Sequence, residues 1–150
     1  MSPVDTQLIY RKIKSIEADL ALLAKYKNVS LEKYSKNQEL QLIVERLLEK
    51  ITGRLIDLNY HLLKEKYGIM PEDYYNSFAE IGKRKIISSE FAEEIAKSAG
   101  LRNALAHEYD KIDGKMVHKA IETSLTQIPK YLKTISDTLR AGAIDNCGNF

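Results

Sequence analysis

From Ile9 to Leu139 the apolar residues return every three or four positions, and that rhythm leaves room for little except helices. Ile9, Ile13, Ile16, Leu20 and Leu23 mark one face of a first helix. Leu40, Val44, Leu47, Ile51, Leu55, Leu58 and Leu62 continue the pattern over a longer second segment. Leu48, Ile56 and Leu63 widen this second stripe to one side. A stripe that broad predicts packing on more than one neighbour, and we take its extra width as a surface for a second copy of the chain. Gly68 and Pro71 then interrupt the pattern, and a short third helix is expected around "EDYYNSFAEIGKRK", packing through Tyr74, Phe78 and Ile81. Ser88 or Ser89 suits the N-cap of a fourth helix, and Asp113 that of a fifth. The fifth presents Val117, Ile121, Leu125, Ile128, Leu132, Ile135 and Leu139, with Pro129 inside it expected to remove one backbone hydrogen bond and bend the helix. No strand pattern interrupts this series. The reading is an all-α antiparallel bundle of about five helices. It occupies residues 1–139, with the aperiodic stretch 140–150 expected to be a flexible C-terminal tail.

A length of 150 residues suits one core rather than two. With 44% apolar and 29% charged residues and only seven glycines, the chain has the composition of a folded helical protein, not a disordered one. The formal net charge of +2 is too small to imply a nucleic-acid partner, so any basic surface must come from clustering. Two clusters stand out: the ladder Lys111, Lys115 and Lys119 with His118 beside it, and "KRK" at Lys83–Lys85. Such groups are ordinarily solvated faces, but beside a cleft they can hold phosphates. The single cysteine, Cys147, excludes an internal disulfide and fits a reducing cytoplasm. The start, "MSPVDTQLIYRKIKSI", lacks the pattern of a secretion signal, and no apolar run approaches the roughly 20 residues of a membrane span.

One stretch does not suit a plain bundle. Residues 102–109 read "RNALAHEY". On a continuous fourth helix Phe91, Ile95 and Leu105 share a buried arc, with Arg102 about 20° from Phe91 and Tyr109 nearly in phase with it. A guanidinium turned toward the core must either meet an acid or line a wet cleft, because it cannot be neutralised. His107 lies about 140° round from Arg102 and about 7.5 Å further along, so the two meet only if the helix ends or distorts there. A lone histidine is by itself an ordinary surface or packing residue. Asp57 and His61, four apart on the second helix, can form a hydrogen-bonded pair. Two such groups without a third make a poor metal site, and no metal or other cofactor is expected. There is no phosphate-cradling glycine loop, no Ser–His–Asp order and no zinc motif.

Arg102, four residues, His107, one residue, Tyr109 is the R-x-x-x-x-H-x-Y pattern of the HepT toxins, a prokaryotic branch of the HEPN superfamily, which this chain resembles. "LRNALAHEYDKID", "QLIVERLLEKITGRLIDLNYHLL" with Asp57 and His61, and "YGIMPEDYYNSFAEIG" are similar to the family's motif region, long second helix and intervening turn. The similarity spans roughly residues 4–139, whereas Pro129 and the "AIDNCGNF" tail are departures. The resemblance implies a metal-independent RNA endonuclease, the toxin of a type VII-like toxin–antitoxin pair. It implies a homodimer whose two motifs face one composite cleft, with Arg102 and His107 catalytic and Asn103 in support. Asp57 and His61 would stand behind them, and Lys111, Lys115 and Lys119 would contact RNA phosphates. Its partner would be a minimal nucleotidyltransferase antitoxin of the MntA type, silencing the enzyme by AMPylation of Tyr109. The chemistry suits the residue types. RNA brings its own 2′-hydroxyl nucleophile, a histidine ordinarily titrates near neutrality, and a guanidinium offers a fixed fork of donors to a phosphate. The competing reading is a non-catalytic helical subunit that binds substrate for, or scaffolds, a nucleotidyltransferase; it leaves the intact Arg, His and Tyr without a use.

Overall fold

The chain was obtained as a computed structural model that describes residues 6–107 and 112–148, with side chains described as far as residue 142. The described residues form helices α1 (Thr6–Leu23), α2 (Leu31–Lys36), α3 (Gln38–Tyr67), α4 (Tyr74–Lys83), α5 (Ser89–Ile95), α6 (Lys97–His107) and α7 (Gly114–Gly148), plus a 3-10 turn at Ala24–Tyr26. The long α3 is the spine and packs against α1, α4, α6 and α7. No described helix is long and apolar enough to cross a membrane.

Local chemistry sets most of the boundaries. Ser30 opens α2 by accepting the Lys33 N–H at 3.1 Å, and Asn37 opens α3 by accepting that of Leu40 at 3.1 Å. Asp73, Ser88 and Asp113 play the same part for α4, α5 and α7. Gly68, at φ 66°, closes α3 in the left-handed conformation, and the N–H groups of Gly68 and Ile69 reach back to Lys64 and Leu63.

The core confirms the periodic faces. Ile9, Ile13, Ile16, Leu20 and Leu23 are buried on α1, and Val44, Leu47, Ile51, Leu55, Leu58 and Leu62 on α3. Val117, Ile121, Ile128, Leu132, Ile135 and Leu139 are buried on α7. Within this core Asn59 donates to Ser77 Oγ at 3.1 Å and accepts the Tyr131 hydroxyl, tying α3, α4 and α7 together. Burial raises the Tyr131 phenol far above its ordinary value, outweighing the opposing bond to Asn59.

Three expectations are corrected. The expected fourth helix is two, α5 and α6, separated at Ala96, where the Ala99 N–H turns back to the Ala96 carbonyl at 3.0 Å. No glycine or proline marks the break, so periodicity could not reveal it. The short α2 was also not anticipated. Leu48, Ile56 and Leu63 are 0%, 4% and 0% exposed, so the extra width of the α3 stripe is filled by the protomer's own helices and provides no surface for a second copy.

Candidate active site

Along α3, Gly53, Ile56, Asp57 and Tyr60 stand three, four and seven residues apart, and form one edge of the helix. Together with Arg102 of α6 and Tyr74 of α4 they line a cleft of about 380 Å³. The break at Ala96 resets the phase of α6, yet Arg102 still faces inward: it lies about 60° from each of Ala99 and Leu105, the buried residues of that helix. Its stem crosses α3 at Gly53. A Cβ placed there would lie 3.2 Å from Arg102 Nε and 3.8 Å from Cδ. Glycine inside a helix costs about 1 kcal/mol relative to alanine, and this close approach is what the missing side chain allows.

The Arg102 guanidinium is half-buried and makes no ion pair or hydrogen bond among the described residues. Of the two fates open to it, an acid partner or a wet cleft, the second is the one seen. Asp57 borders the same cleft, but its carboxylate receives Lys12 of α1 at 2.5 Å. Tyr60 and Tyr74 meet edge to face, ring centres 6.3 Å apart and planes at 88°. The Tyr60 phenol is pushed above its ordinary value by burial first, then by Tyr74 and Asp73, which keeps it a neutral hydrogen-bond donor.

The other expected residues are dispersed. His107 is the last described residue of α6; it is exposed, does not line the cleft and makes no bond with Arg102. Asn103 is exposed on the same helix, and Lys115 and Lys119 are exposed on α7 without bordering the cleft. Tyr109 and Lys111 lie outside the described residues. The Asp57–His61 pair is not formed: Asp57 holds Lys12, while His61 Nε2 is buried with no hydrogen-bond partner among the described residues. His118 is structural, bonded through Nε2 to the Val29 carbonyl at 2.6 Å and packed against Tyr34. Tyr74 does not join Phe78 and Ile81 in the core; it is 37% exposed at the cleft. Gly53, Tyr60 and Tyr74 were not anticipated as site residues. The available signal was a glycine in mid-helix with Asp57 and Tyr60 four and seven residues on.

Residues 16–135 match the family model described as "Ribonuclease HepT-like". The chain is 40% identical over 139 residues to a tRNA nuclease HepT of Aphanizomenon flos-aquae, covering 93% of this chain and 95% of that relative. Among solved structures its fold is similar to that of YutE, a cytosolic protein of unknown function from Bacillus subtilis, with a TM-score of 0.82 at 18% identity and 95% of each chain covered. It is also similar to a tri-AMPylated HEPN toxin of Shewanella oneidensis in complex with an MNT antitoxin, with a TM-score of 0.77 at 19% identity, covering 91% of this chain and 99% of that one. On the strength of that family match and of the identity to the tRNA nuclease HepT, the chain belongs to the HepT-like ribonuclease family.

Proposed function

We propose that this protein is a metal-independent RNA endonuclease that acts as the toxin of a toxin–antitoxin pair. The observation that carries the reading is Arg102, an inward guanidinium laid over Gly53 in an open cleft with no acid partner among the described residues. In the proposed reaction His107 accepts the proton of the RNA 2′-hydroxyl, whose oxygen attacks the adjacent phosphorus as the bond to the 5′-oxygen breaks, leaving a 2′,3′-cyclic phosphate while the departing 5′-oxygen takes up a proton from water. Arg102 binds the phosphate and stabilises the added negative charge of the transition state. Asn103 supports the pair, and Lys111, Lys115 and Lys119 hold flanking phosphates. The relative's name supports tRNA as the substrate class. Because His107 lies outside the Arg102 cleft of its own protomer, the site is completed in a homodimer whose two motifs face each other. This dimer rests on the resemblance and no longer on the α3 stripe. Sedimentation showing only monomer at micromolar concentration would remove the composite cleft.

The test of catalysis is cleavage of tRNA by wild type and by His107→Ala, with folding checked by circular dichroism. The variant is expected to lose at least about a hundredfold in rate. Undiminished cleavage by a folded variant takes histidine out of the mechanism, and an inert wild type favours the non-catalytic subunit instead. Regulation is proposed to occur by AMPylation of Tyr109 by an MntA-type nucleotidyltransferase, a reading supported by the AMPylated Shewanella toxin bound to its antitoxin. Each AMP brings bulk and negative charge to a site that must receive phosphate. Intact mass after co-expression should rise in AMP increments for wild type and stay constant for Tyr109→Phe.

A further inference from the structure

Four features of the Arg102 cleft bear on what it binds besides a phosphate. Tyr74 is 37% exposed, and it lies at the cleft instead of in the adjacent core. Its position is fixed by sequence-local chemistry: the Asp73 carboxylate accepts the Asn76 N–H at 2.8 Å, which makes Tyr74 the first residue of α4. The Ser77 hydroxyl holds the Tyr74 carbonyl at 2.7 Å and is itself bonded to the buried Asn59, so the ring is carried on a rigid support. Its neighbour Tyr60 meets it edge to face, an arrangement in which the two rings leave π-faces uncovered by each other.

The charged part of the lining is Arg102, unpaired among the described residues, and the Asp57 carboxylate, whose charge is offset by Lys12. A positively charged fork on one wall and an aromatic pair on another suit a ligand with a phosphate joined to a flat ring. The cleft volume of about 380 Å³ falls within the range of small-ligand sites, roughly 300–1,000 Å³. Stacking on tyrosine needs one face of a base left uncovered by neighbouring bases, so a base inside a duplex, covered on both faces, cannot use it.

We propose that Tyr74, backed by Tyr60, is a stacking platform for one unpaired nucleobase of the RNA whose phosphate Arg102 holds. This subsite rests on the RNA-cleavage reading and adds to it a preference for single-stranded substrate at the reaction centre. Tyr74 is a binding residue; it takes no part in the proton transfers.

The experiment uses the full chain carrying His107→Ala, so that substrate is bound without being cut. Binding of a fluorescein-labelled single-stranded RNA is compared by anisotropy with that of an abasic oligomer of equal length. The parent protein is expected to prefer the base-bearing RNA. Tyr74→Leu should weaken RNA binding about tenfold or more, the usual loss for one stacked base, while leaving the abasic oligomer unaffected. Tyr74→Phe should match the parent, because stacking requires the ring and not the hydroxyl. Melting curves of the three variants verify that the half-exposed position is not structural. Equal binding of the two oligomers by the parent, or equal losses for both with Tyr74→Leu, overturns the platform while wild-type cleavage keeps the catalytic reading intact. Failure of wild type to cleave any RNA overturns both.

Discussion

Helix α3 carries a charged seam on either side, and the two are built to opposite rules. On the α1 side Asp19 is buried and satisfied twice, by Arg54 at 2.7 Å and Lys50 at 3.5 Å, and Lys12 closes on Asp57. On the α6 side Arg102 crosses the helix one residue away from Arg54 in the sequence of α3, at Gly53, and has no acid among the described residues. The same guanidinium chemistry therefore serves two ends. An arginine given a buried carboxylate locks two helices together. One denied a carboxylate keeps its donors free, as the proposed phosphate contact requires, and Asp57, the acid among the described residues lining its cleft, is already engaged by a lysine from the opposite seam.

The largest expected effect tests the open side. Arg102→Ala should reduce RNA cleavage by at least about a hundredfold, and its stability should move by no more than about 0.5 kcal/mol, because no ion pair is lost. Parallel kinetics and urea titration separate the two readouts; a large loss of stability would mean that the arginine is structural after all.

Asp19→Asn is the converse. Removing a buried acid that has two partners is ordinarily costly, but Arg54 and Lys50 remain partly exposed and water can take over their hydration. The expected loss is about 1–2 kcal/mol of folding stability with cleavage per folded molecule unchanged. Cleavage falling in step with Arg102→Ala would show the two seams to be coupled.

Gly53→Ala probes where they touch. Alanine favours the helix by up to about 1 kcal/mol, yet its Cβ would stand 3.2 Å from Arg102 Nε and push the side chain from its seat. A protein of equal or higher melting temperature with cleavage down about tenfold is expected. In an Arg102→Ala background the same substitution should have no further effect on cleavage, since Gly53 acts only through the arginine.

The smallest effect sharpens the contrast between dry and wet regions by pH. Burial, with Glu45 second, raises the Tyr34 phenol from 10.0 to about 12. Below about pH 10 both folded and unfolded chains keep the proton and the contribution is complete. As pH rises from 10.0 toward about 12 the unfolded chain ionises first, so stability falls. Tyr34→Phe should lessen that alkaline loss without abolishing it, because buried Tyr131 is shifted in the same direction. Urea midpoints at about pH 8 and about pH 11 measure it.

The sequence by itself determined the helices, the faces they bury and the residues of the motif, because these depend on contacts three or four residues apart and on caps such as Ser88 and Asp113 whose partners are local. It also posed the right question about Arg102, through a phase argument that assumed one helix where there are two. Only the tertiary structure decided the answers. That Leu48, Ile56 and Leu63 are filled from within the protomer depends on which helices surround α3. That Asp57 chooses Lys12 over His61 depends on a residue 45 positions away, and local spacing favoured the nearer partner. Gly53, Tyr60, Tyr74 and Arg102 come from three helices, and their shared cleft exists only because α4 and α6 both dock on the same edge of α3. Long-range packing carries no period along the chain, which is why the motif could be read from it and the cleft could not.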